Sequence, residues 1–265
     1  MEQIDTYPWP DNIKAAISLS FDDGRPSQLN VAIPILDEYG LKGTFYIKPG
    51  GDDWKTVYTP WREVAQNQHE IGNHTLSHIC SRNFGWSGRA LETISLDYIE
   101  SDILEAEGRL RELIPEQTER TFCYPCYQNY VGEGLKRQSY VPIVAKHFPA
   151  ARGMGEAANH PLYTDLHYLT SWTAAGWMSG DALIGFAEDA IKKDRWCIIT
   201  FHDVSEVKPD TWLPGASYHG APVAAESFRK LCKFLVENKD KIWTGTVLES
   251  AEKTIEWRKS FADQR

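Results

Sequence analysis

An apolar run that ends in two acids is the feature that most restricts the fold of this chain. Residues 15–24 read AAISLSFDDG, so a largely apolar stretch leads directly into Asp22, Asp23 and a glycine. A continuous apolar run of this length is typical of a strand that is buried on both faces of a parallel sheet. We therefore expect a buried strand that stops at a polar site.

Strand-like and helical patterns alternate along the rest of the 265 residues. Further strands are predicted over residues 43–47, 70–73, 120–124, 150–153, 168–172, 196–201 and 242–244. Helices are predicted over residues 26–39, 91–114, 131–138, 141–148, 181–193, 222–237 and 248–258, and Pro34 predicts a kink in the first of these. Such alternation is typical of a parallel α/β sheet, and the length suits one domain that covers residues 1–265.

A pair of histidines follows the strand predicted over residues 70–73. The sequence there reads EIGNHTLSH, and His74 and His78 are four residues apart, about one helical turn, so that both imidazoles can face one point. One carboxylate and two neutral imidazoles, with an open position for water, are a typical donor set for a catalytic divalent metal. The adjacent acids Asp22 and Asp23 also repel each other unless a positive charge lies between them. His69, which precedes the strand, is predicted to lie at the surface.

Composition limits the possible partners and location. The formal net charge of −9 argues against a nucleic-acid backbone or an anionic membrane as the main partner. The first residues, MEQIDTYPWPDN, carry neither a basic nor an apolar leader, so we expect a cytoplasmic protein. The five cysteines are odd in number and scattered, which argues against a disulfide framework.

Three motifs together resemble those of a known family. SFDDG at 20–24, HTLSH at 74–78 and IITFHD at 198–203 are similar, in this order, to motifs of the polysaccharide deacetylases, the NodB-like carbohydrate esterases of family four. The resemblance extends over residues 8–257. It implies an irregular (β/α)7–8 barrel in a single domain. It also implies metal-dependent hydrolysis of N- or O-acetyl groups on a poly- or oligosaccharide, with zinc as the usual ion and an acetylated carbohydrate as the partner.

The resemblance assigns a role to each matching residue. Asp23, His74 and His78 would hold the divalent ion. Asp22 would be the general base that takes a proton from the attacking water. His202, at the end of the run WCIITF, would be the general acid that protonates the leaving group.

The third motif departs from the family pattern. Residues 122–128, FCYPCYQ, lie where the family usually has Arg-Pro-Pro-Tyr-Gly. Tyr127 then matches the tyrosine whose backbone N–H helps to form an oxyanion hole. Tyr124 stands where the arginine that orients the base is expected, and Gln128 stands where the glycine is expected. The C-x-x-C pair within this stretch also permits a redox role, which the loop-like residues after it disfavour.

Two further residues are candidates for the missing functions. Arg152, at the end of a predicted strand, could replace the missing arginine, and we group it with Trp172 as a substrate-binding candidate. The family's fourth motif, an Asp-Trp pair that tunes the acidic histidine, is not found, and Trp172 or Trp177 could supply its aromatic part. The loop over residues 204–220 could be either a substrate lid or an ordinary surface loop.

The residues leave two other functions open. One is a hydrolase of the same fold that acts on a non-sugar C–N bond, such as a cyclic imide or a ureide. The other is a carbohydrate-binding protein that keeps the pocket but has lost catalysis.

Overall fold

A parallel sheet of eight strands forms the centre of the molecule. The computed structural model describes residue 9 and residues 12–85, 88–155, 157–206 and 221–262. The strands are β1 (Ala15–Asp22), β2 (Gly43–Ile47), β3 (Glu70–Asn73), β4 (Phe122–Cys123), β5 (Ala151–Arg152), β6 (Trp172–Thr173), β7 (Trp196–Phe201) and β8 (Ile242–Thr244). Their order is β5-β4-β3-β2-β1-β7-β6, and β8 also pairs with β1.

Strand β1 is buried along its whole length and has three neighbours. It pairs with β7 from Ala16 to Phe21, with β2 over its second half and with β8 over its first half. Alternate side chains of a strand point to opposite faces. Phe21 therefore packs on one face, where its ring centroid lies 4.7 Å from that of Phe45 and 5.2 Å from that of Phe201. Asp22 follows on the opposite face, at the carboxyl end of the strand.

The sheet curls because one segment contacts both of its edges. The N–H of Leu169 donates to the carbonyl of Ala151 in β5 at 2.8 Å, and β6, which follows it, pairs with β7. Residues 169–173 thus link the two edges, and the curled sheet confirms the predicted single-domain α/β barrel. The carboxyl ends of the parallel strands meet at one rim, where sites are built in such barrels.

Helices connect and cover the strands. They are α1 (Ile33–Glu38), α2 (Trp54–Val57), α3 (Pro60–Gln66), α4 (Leu96–Leu113), α5 (Val141–His147), α6 (Gly180–Lys193), α7 (Ala225–Glu237) and α8 (Val247–Ala262). Two small strand pairs lie outside the barrel, Tyr130–Val131 with Gln138–Ser139 and Val204–Ser205 with Val223–Ala224. Among the described helices, none has the length and apolar character needed to span a bilayer.

The first predicted helix is interrupted, as Pro34 indicated. A π-helix over Gln28–Ala32 precedes α1, and the N–H of Ile33 donates to the carbonyl of Gln28. Pro34 has no N–H to continue an α-helical ladder, so the wider π turn accommodates this position.

Three predictions about individual segments were wrong. The helix predicted over 91–114 begins only at Leu96, where the Ser95 side chain caps its N-terminus, and residues 131–138 form part of a hairpin instead of a helix. His69 is not at the surface but only 2% exposed. Its Nδ1 accepts the N–H of Gly43 at 3.0 Å and its Nε2 lies 3.1 Å from Asp37 Oδ1, so both ring nitrogens are used inside the fold.

Candidate active site

The two acids of the first motif take different positions at the end of β1. Asp22 is the last residue of the strand and is only 2% exposed. Asp23 follows with a φ of 78°, a left-handed conformation that turns the chain immediately after the strand. This turn lets the two carboxylates approach different partners.

Asp23, His74 and His78 lie together as predicted ligands. Asp23 Oδ1 is 3.9 Å from His74 Nε2 and 3.4 Å from His78 Nε2, and the three donor atoms lie within 4.8 Å of one another. One carboxylate oxygen and two imidazole nitrogens suit a catalytic divalent ion. The donor set therefore fits the metal that the second motif suggests.

The histidines reach this point from an irregular loop and not from the predicted helical turn. Thr75 and His78 both have positive φ, 62° and 48°. Side chains hold the loop in this shape: Asn73 Oδ1 accepts the N–H of Thr75 at 2.8 Å, and Asp102 Oδ2 accepts the N–H groups of residues 76 and 77 at 3.0 and 3.1 Å. His74 Nδ1 lies 2.9 Å from the Cys123 carbonyl oxygen, a contact that leaves Nε2 for the site.

The surroundings favour neutral imidazoles and an ionised carboxylate. Burial lowers the pKa of His78 to about 3, assisted by the adjacent His74, although Asp23 opposes the shift. Burial also lowers the pKa of His74. For Asp23 burial acts to raise the pKa, but His74, Lys48, His78 and Arg25 together hold it well below the usual range. Neutral imidazole and carboxylate are the protonation states that bind metal ions.

Two cations also contact Asp23. Arg25 donates from Nη2 to Asp23 Oδ2 at 2.9 Å, and Lys48 Nζ lies 3.2 Å from Oδ1. Arg25 thus restrains one oxygen, while the other faces both imidazoles and the lysine.

The second acid, Asp22, is paired with a buried arginine from β5. Arg152 Nη2 hydrogen-bonds to Asp22 Oδ1, and Arg152 is 0% exposed. The same Nη2 lies 3.0 Å from Cys123 Sγ, and Nη1 lies 3.4 Å from Ser171 Oγ. Burial acts to lower the pKa of Arg152, but the Asp22 carboxylate and, to a smaller extent, Cys123 and two tyrosines together raise that pKa above its usual value. Asp22 is thus a buried acid with a fixed counter-ion beside the ligand cluster.

Comparisons with known proteins agree with these motifs. A family model described as Polysaccharide deacetylase matches residues 10–138. Residues 10–138, slightly less than half of the chain, are thus similar to the polysaccharide deacetylases. A peptidoglycan-N-acetylglucosamine deacetylase of Bacillus cereus is 27% identical over 114 residues, which are 42% of this chain. The match spans only 46% of that relative's length.

Solved structures share the fold of this chain. An acetyl xylan esterase of family 4 from Clostridium thermocellum, in complex with a cobalt ion, has a TM-score of 0.50 at 19% identity, and the match covers 89% of each chain. A CE4 family pseudoenzyme from Bacillus anthracis has a TM-score of 0.54 at 13% identity, with 95% of this chain and 71% of that chain covered. At these identities the likeness concerns the NodB-like barrel alone.

Arg152 is not positioned to bind substrate in this structure. Its guanidinium is enclosed between Asp22, Cys123 and Ser171, so the burial contradicts its grouping with substrate-binding residues. The same contacts place Arg152 against Asp22, the predicted general base. This is the position expected of a residue that replaces the missing third-motif arginine.

The third-motif segment, which contains Tyr127, forms a tight turn. Tyr127 has a φ of 59°, and its N–H donates to the Tyr124 carbonyl at 2.9 Å. Its hydroxyl pairs with Thr173 Oγ1 at 3.1 Å. The role predicted for the Tyr127 N–H stays a prediction, and this hydrogen bond argues against it.

The two cysteines of the C-x-x-C pair have separate partners. Cys126 forms a disulfide with Cys80, whereas Cys123 is a buried free thiol between Asp22 and Arg152. The disulfide joins the loop of His78 to the loop of the third motif. Scattered spacing gave no sign of this bond, because it joins cysteines that are 46 residues apart in the sequence and that only the folded chain brings together.

His202 follows β7, and its position lies next to that of Asp22. The β1–β7 register pairs Phe21 with Phe201, so Asp22 and His202 are each one residue further along. The neighbouring Asp203 does not supply the missing fourth-motif carboxylate, because its oxygens accept bonds from Arg25 and Ser27.

Trp172 does not lie with the other predicted site residues. Its ring stacks on Phe186 of α6 at a centroid distance of 5.1 Å, a contact that directs it toward the outer helices. Trp177, the other tryptophan considered, is 57% exposed. Most of the loop proposed as a lid, residues 207–220, lies outside the described residues.

An open polar cleft of 460 Å³ adjoins the ligand loop. Its lining includes Lys48, Ser77, His78, Arg89 and Tyr98. This volume is within the range of small-molecule sites.

Proposed function

We propose that this chain is a metal-dependent hydrolase that removes N- or O-acetyl groups from a poly- or oligosaccharide. The observation that carries the proposal is the pair of acids at the end of β1, of which Asp23 faces two neutral imidazoles and Asp22 faces a buried arginine. The match of residues 10–138 to the polysaccharide deacetylase family supports the reaction class.

Asp23 Oδ1, His74 Nε2 and His78 Nε2 would hold the ion, which we propose to be zinc. When bound there, such an ion acts as a Lewis acid toward an acetyl carbonyl and lowers the pKa of water. The chain's own contribution is to keep both imidazoles neutral and to fix Asp23 in one orientation through Arg25.

Asp22 is proposed as the general base and His202 as the general acid. Arg152 keeps the Asp22 carboxylate in one orientation and compensates its charge in a buried position. His202 donates its own proton to the leaving nitrogen or oxygen, while the proton removed from the attacking water stays on Asp22, and exchange with solvent after the reaction restores both residues. An acetylated saccharide in the cleft beside His78 is the proposed partner.

The test is acetate release from acetylated chitooligosaccharides, peptidoglycan and acetylated xylan. The protein is stripped with a chelator and reloaded with zinc or cobalt, and bound metal is counted by elemental analysis. We expect release only after reloading. Asp22→Asn, which is isosteric, should keep its metal and lose activity, whereas Asp23→Ala and His78→Ala should lose both. Full metal content and full activity in these two alanine variants would falsify the proposal.

A second candidate is an inactive carbohydrate-binding protein. It is favoured by the two cations on Asp23, because Lys48 and Arg25 already neutralise the carboxylate that would bind the ion. Sugar binding without acetate release in a metal-replete sample would support it. Turnover of small cyclic imides or ureides, with about one metal per chain and no acetate release, would instead favour hydrolysis of a non-sugar C–N bond.

A cytoplasmic location stays a prediction. The Cys80–Cys126 disulfide argues against it, since disulfides persist mainly in oxidising compartments.

A further inference from the structure

Gln28 joins the ends of the two strands that carry the predicted base and acid. It lies in the π-helix that follows β1 and is 0% exposed. Its Nε2 donates to the backbone oxygen of Asp22 at 2.6 Å and to that of His202 at 2.8 Å. Both hydrogens of the amide are therefore used on these two residues.

The strand ladder does not itself hold these residues together. The paired register of β1 and β7 ends with Phe21 and Phe201, and Asp22 and His202 come one position later. Beyond Phe21 and Phe201, the side-chain amide of Gln28 connects the two strands in place of backbone pairing. A side chain that binds both carbonyls at once fixes the separation of the two strand ends.

The other end of the same amide has no partner. Gln28 Oε1 is buried and accepts no hydrogen bond from any described residue. An unsatisfied buried acceptor is unfavourable, and an apolar side chain of similar size would avoid this penalty. The glutamine is thus a poor choice for filling space, and its two donated bonds are what it contributes.

Neighbouring residues connect the same two segments. Arg25 Nη1 donates to Asp203 Oδ2 at 2.6 Å, and the Ser27 hydroxyl donates to Asp203 Oδ1. Residues 25–28 therefore contact the end of β7 through three side chains.

We propose that Gln28 is a positioning residue that sets the spacing between the general base Asp22 and the general acid His202. This inference rests on the proposed deacetylase function. Asp22 takes a proton from the attacking water, and His202 gives a proton to the leaving group of the same substrate molecule. The separation of the two residues must therefore stay fixed during turnover.

The first test compares Gln28→Met with a matched control, Gln117→Met. Gln117 also donates from one amide to two backbone oxygens, those of Ile71 and Glu119, at 2.9 and 3.1 Å, but at the far end of β3. We expect Gln28→Met to lower kcat roughly 10–100-fold with KM and metal content unchanged. Gln117→Met should lower the melting temperature and leave kcat unchanged.

The second test does not depend on activity or metal. Hydrogen–deuterium exchange is measured on the apo proteins for peptides that cover residues 22–24 and 202–204. We expect faster exchange at both segments in Gln28→Met and at neither in Gln117→Met. If Gln28→Met fails to fold, Gln28→Leu replaces it, since leucine also lacks both donors and adds no buried charge.

The outcomes separate this inference from the proposed function. Wild-type kcat and wild-type exchange in the Gln28 variant overturn the positioning role. Wild-type protein that releases no acetate overturns the deacetylase function, and the exchange result then decides whether Gln28 holds the strand ends. A fall in kcat of equal size in both glutamine variants indicates general destabilisation and also overturns the positioning role.

Discussion

Removal of Arg152 tests the buried ion pair most directly. Arg152 and Asp22 are 0% and 3% exposed at their side chains, so neither charge can turn to water when its partner is lost. Breaking a buried pair on one side costs about 3–5 kcal/mol. We therefore expect Arg152→Met to lower the free energy of unfolding by about that amount, and the melting temperature by roughly 6–20 °C at 2–4 °C per kcal/mol. Arg152→Lys keeps the charge but not the planar guanidinium that also contacts Cys123 and Ser171. Its free energy of unfolding should therefore lie between those of the wild-type protein and Arg152→Met.

The assay is urea unfolding followed by tryptophan fluorescence, on single variants and on the double variant Asp22→Leu/Arg152→Met. Two apolar side chains of similar volume leave no uncompensated charge, so the double variant should be more stable than Arg152→Met alone. Additive free energies, within about 0.5 kcal/mol, would refute the view that these two side chains act as a pair. A loss below about 1 kcal/mol in Arg152→Met would refute the buried-charge argument itself.

Two further predictions concern His69 and the disulfide. Burial lowers the pKa of His69, although Asp37 opposes the shift, so below about pH 6.5 the unfolded chain binds a proton that the folded chain does not. The stability due to neutral His69 is fully present above pH 6.5. The free energy of unfolding then falls as the pH drops toward the lowered pKa of His69, with a slope of up to about 1.4 kcal/mol per pH unit. His69→Asn should remove this pH dependence. The Cys80–Cys126 bond closes a separation of 46 residues, so Cys80→Ser/Cys126→Ser should unfold with about 2–4 kcal/mol less free energy in non-reducing urea titrations.

The predictions for His69 and for the disulfide can each be contradicted by a specific result. Urea titrations between pH 7 and 5 in which His69→Asn loses stability as steeply as the wild-type protein would exclude His69 as a source of the pH dependence. For the disulfide, Cys197→Ser is the control, because Cys197 is a buried free thiol whose substitution alters packing without opening a loop. Equal loss in the control and in the double variant would contradict the loop-closure argument.

The sequence predicted those parts of the site that depend on where strands end. The acids after β1, the histidine after β7 and the ligand pair near β3 all follow buried apolar or half-buried runs, and parallel strands bring their carboxyl ends to one rim. Contacts between segments distant in sequence were not predictable in this way. The approach of Arg152 to Asp22 depends on the sheet order β5-β4-β3-β2-β1, which periodicity does not give.

The conformation of the loops also could not be predicted from the sequence. The histidine spacing suggested a helical turn, but positive φ at Thr75 and His78 gives a loop that brings the same two rings together. Tyr127 matched a family position, yet its N–H is used within a local turn. Side chains at such positions have no sequence signal beyond residue type, because left-handed conformations of non-glycine residues are maintained by tertiary contacts.

The pairing of β1 with β8 has a consequence for synthesis of the chain. β1 is synthesised well before two of its three neighbours, Trp196–Phe201 and Ile242–Thr244. The strand that ends at Asp22 can be fully paired only when almost all of the barrel has been synthesised, and such long-range pairing is slow to form. A fragment limited to residues 10–138 would contain β1 with a single neighbour and would lack both Arg152 and His202, so we do not expect the matched region to fold by itself.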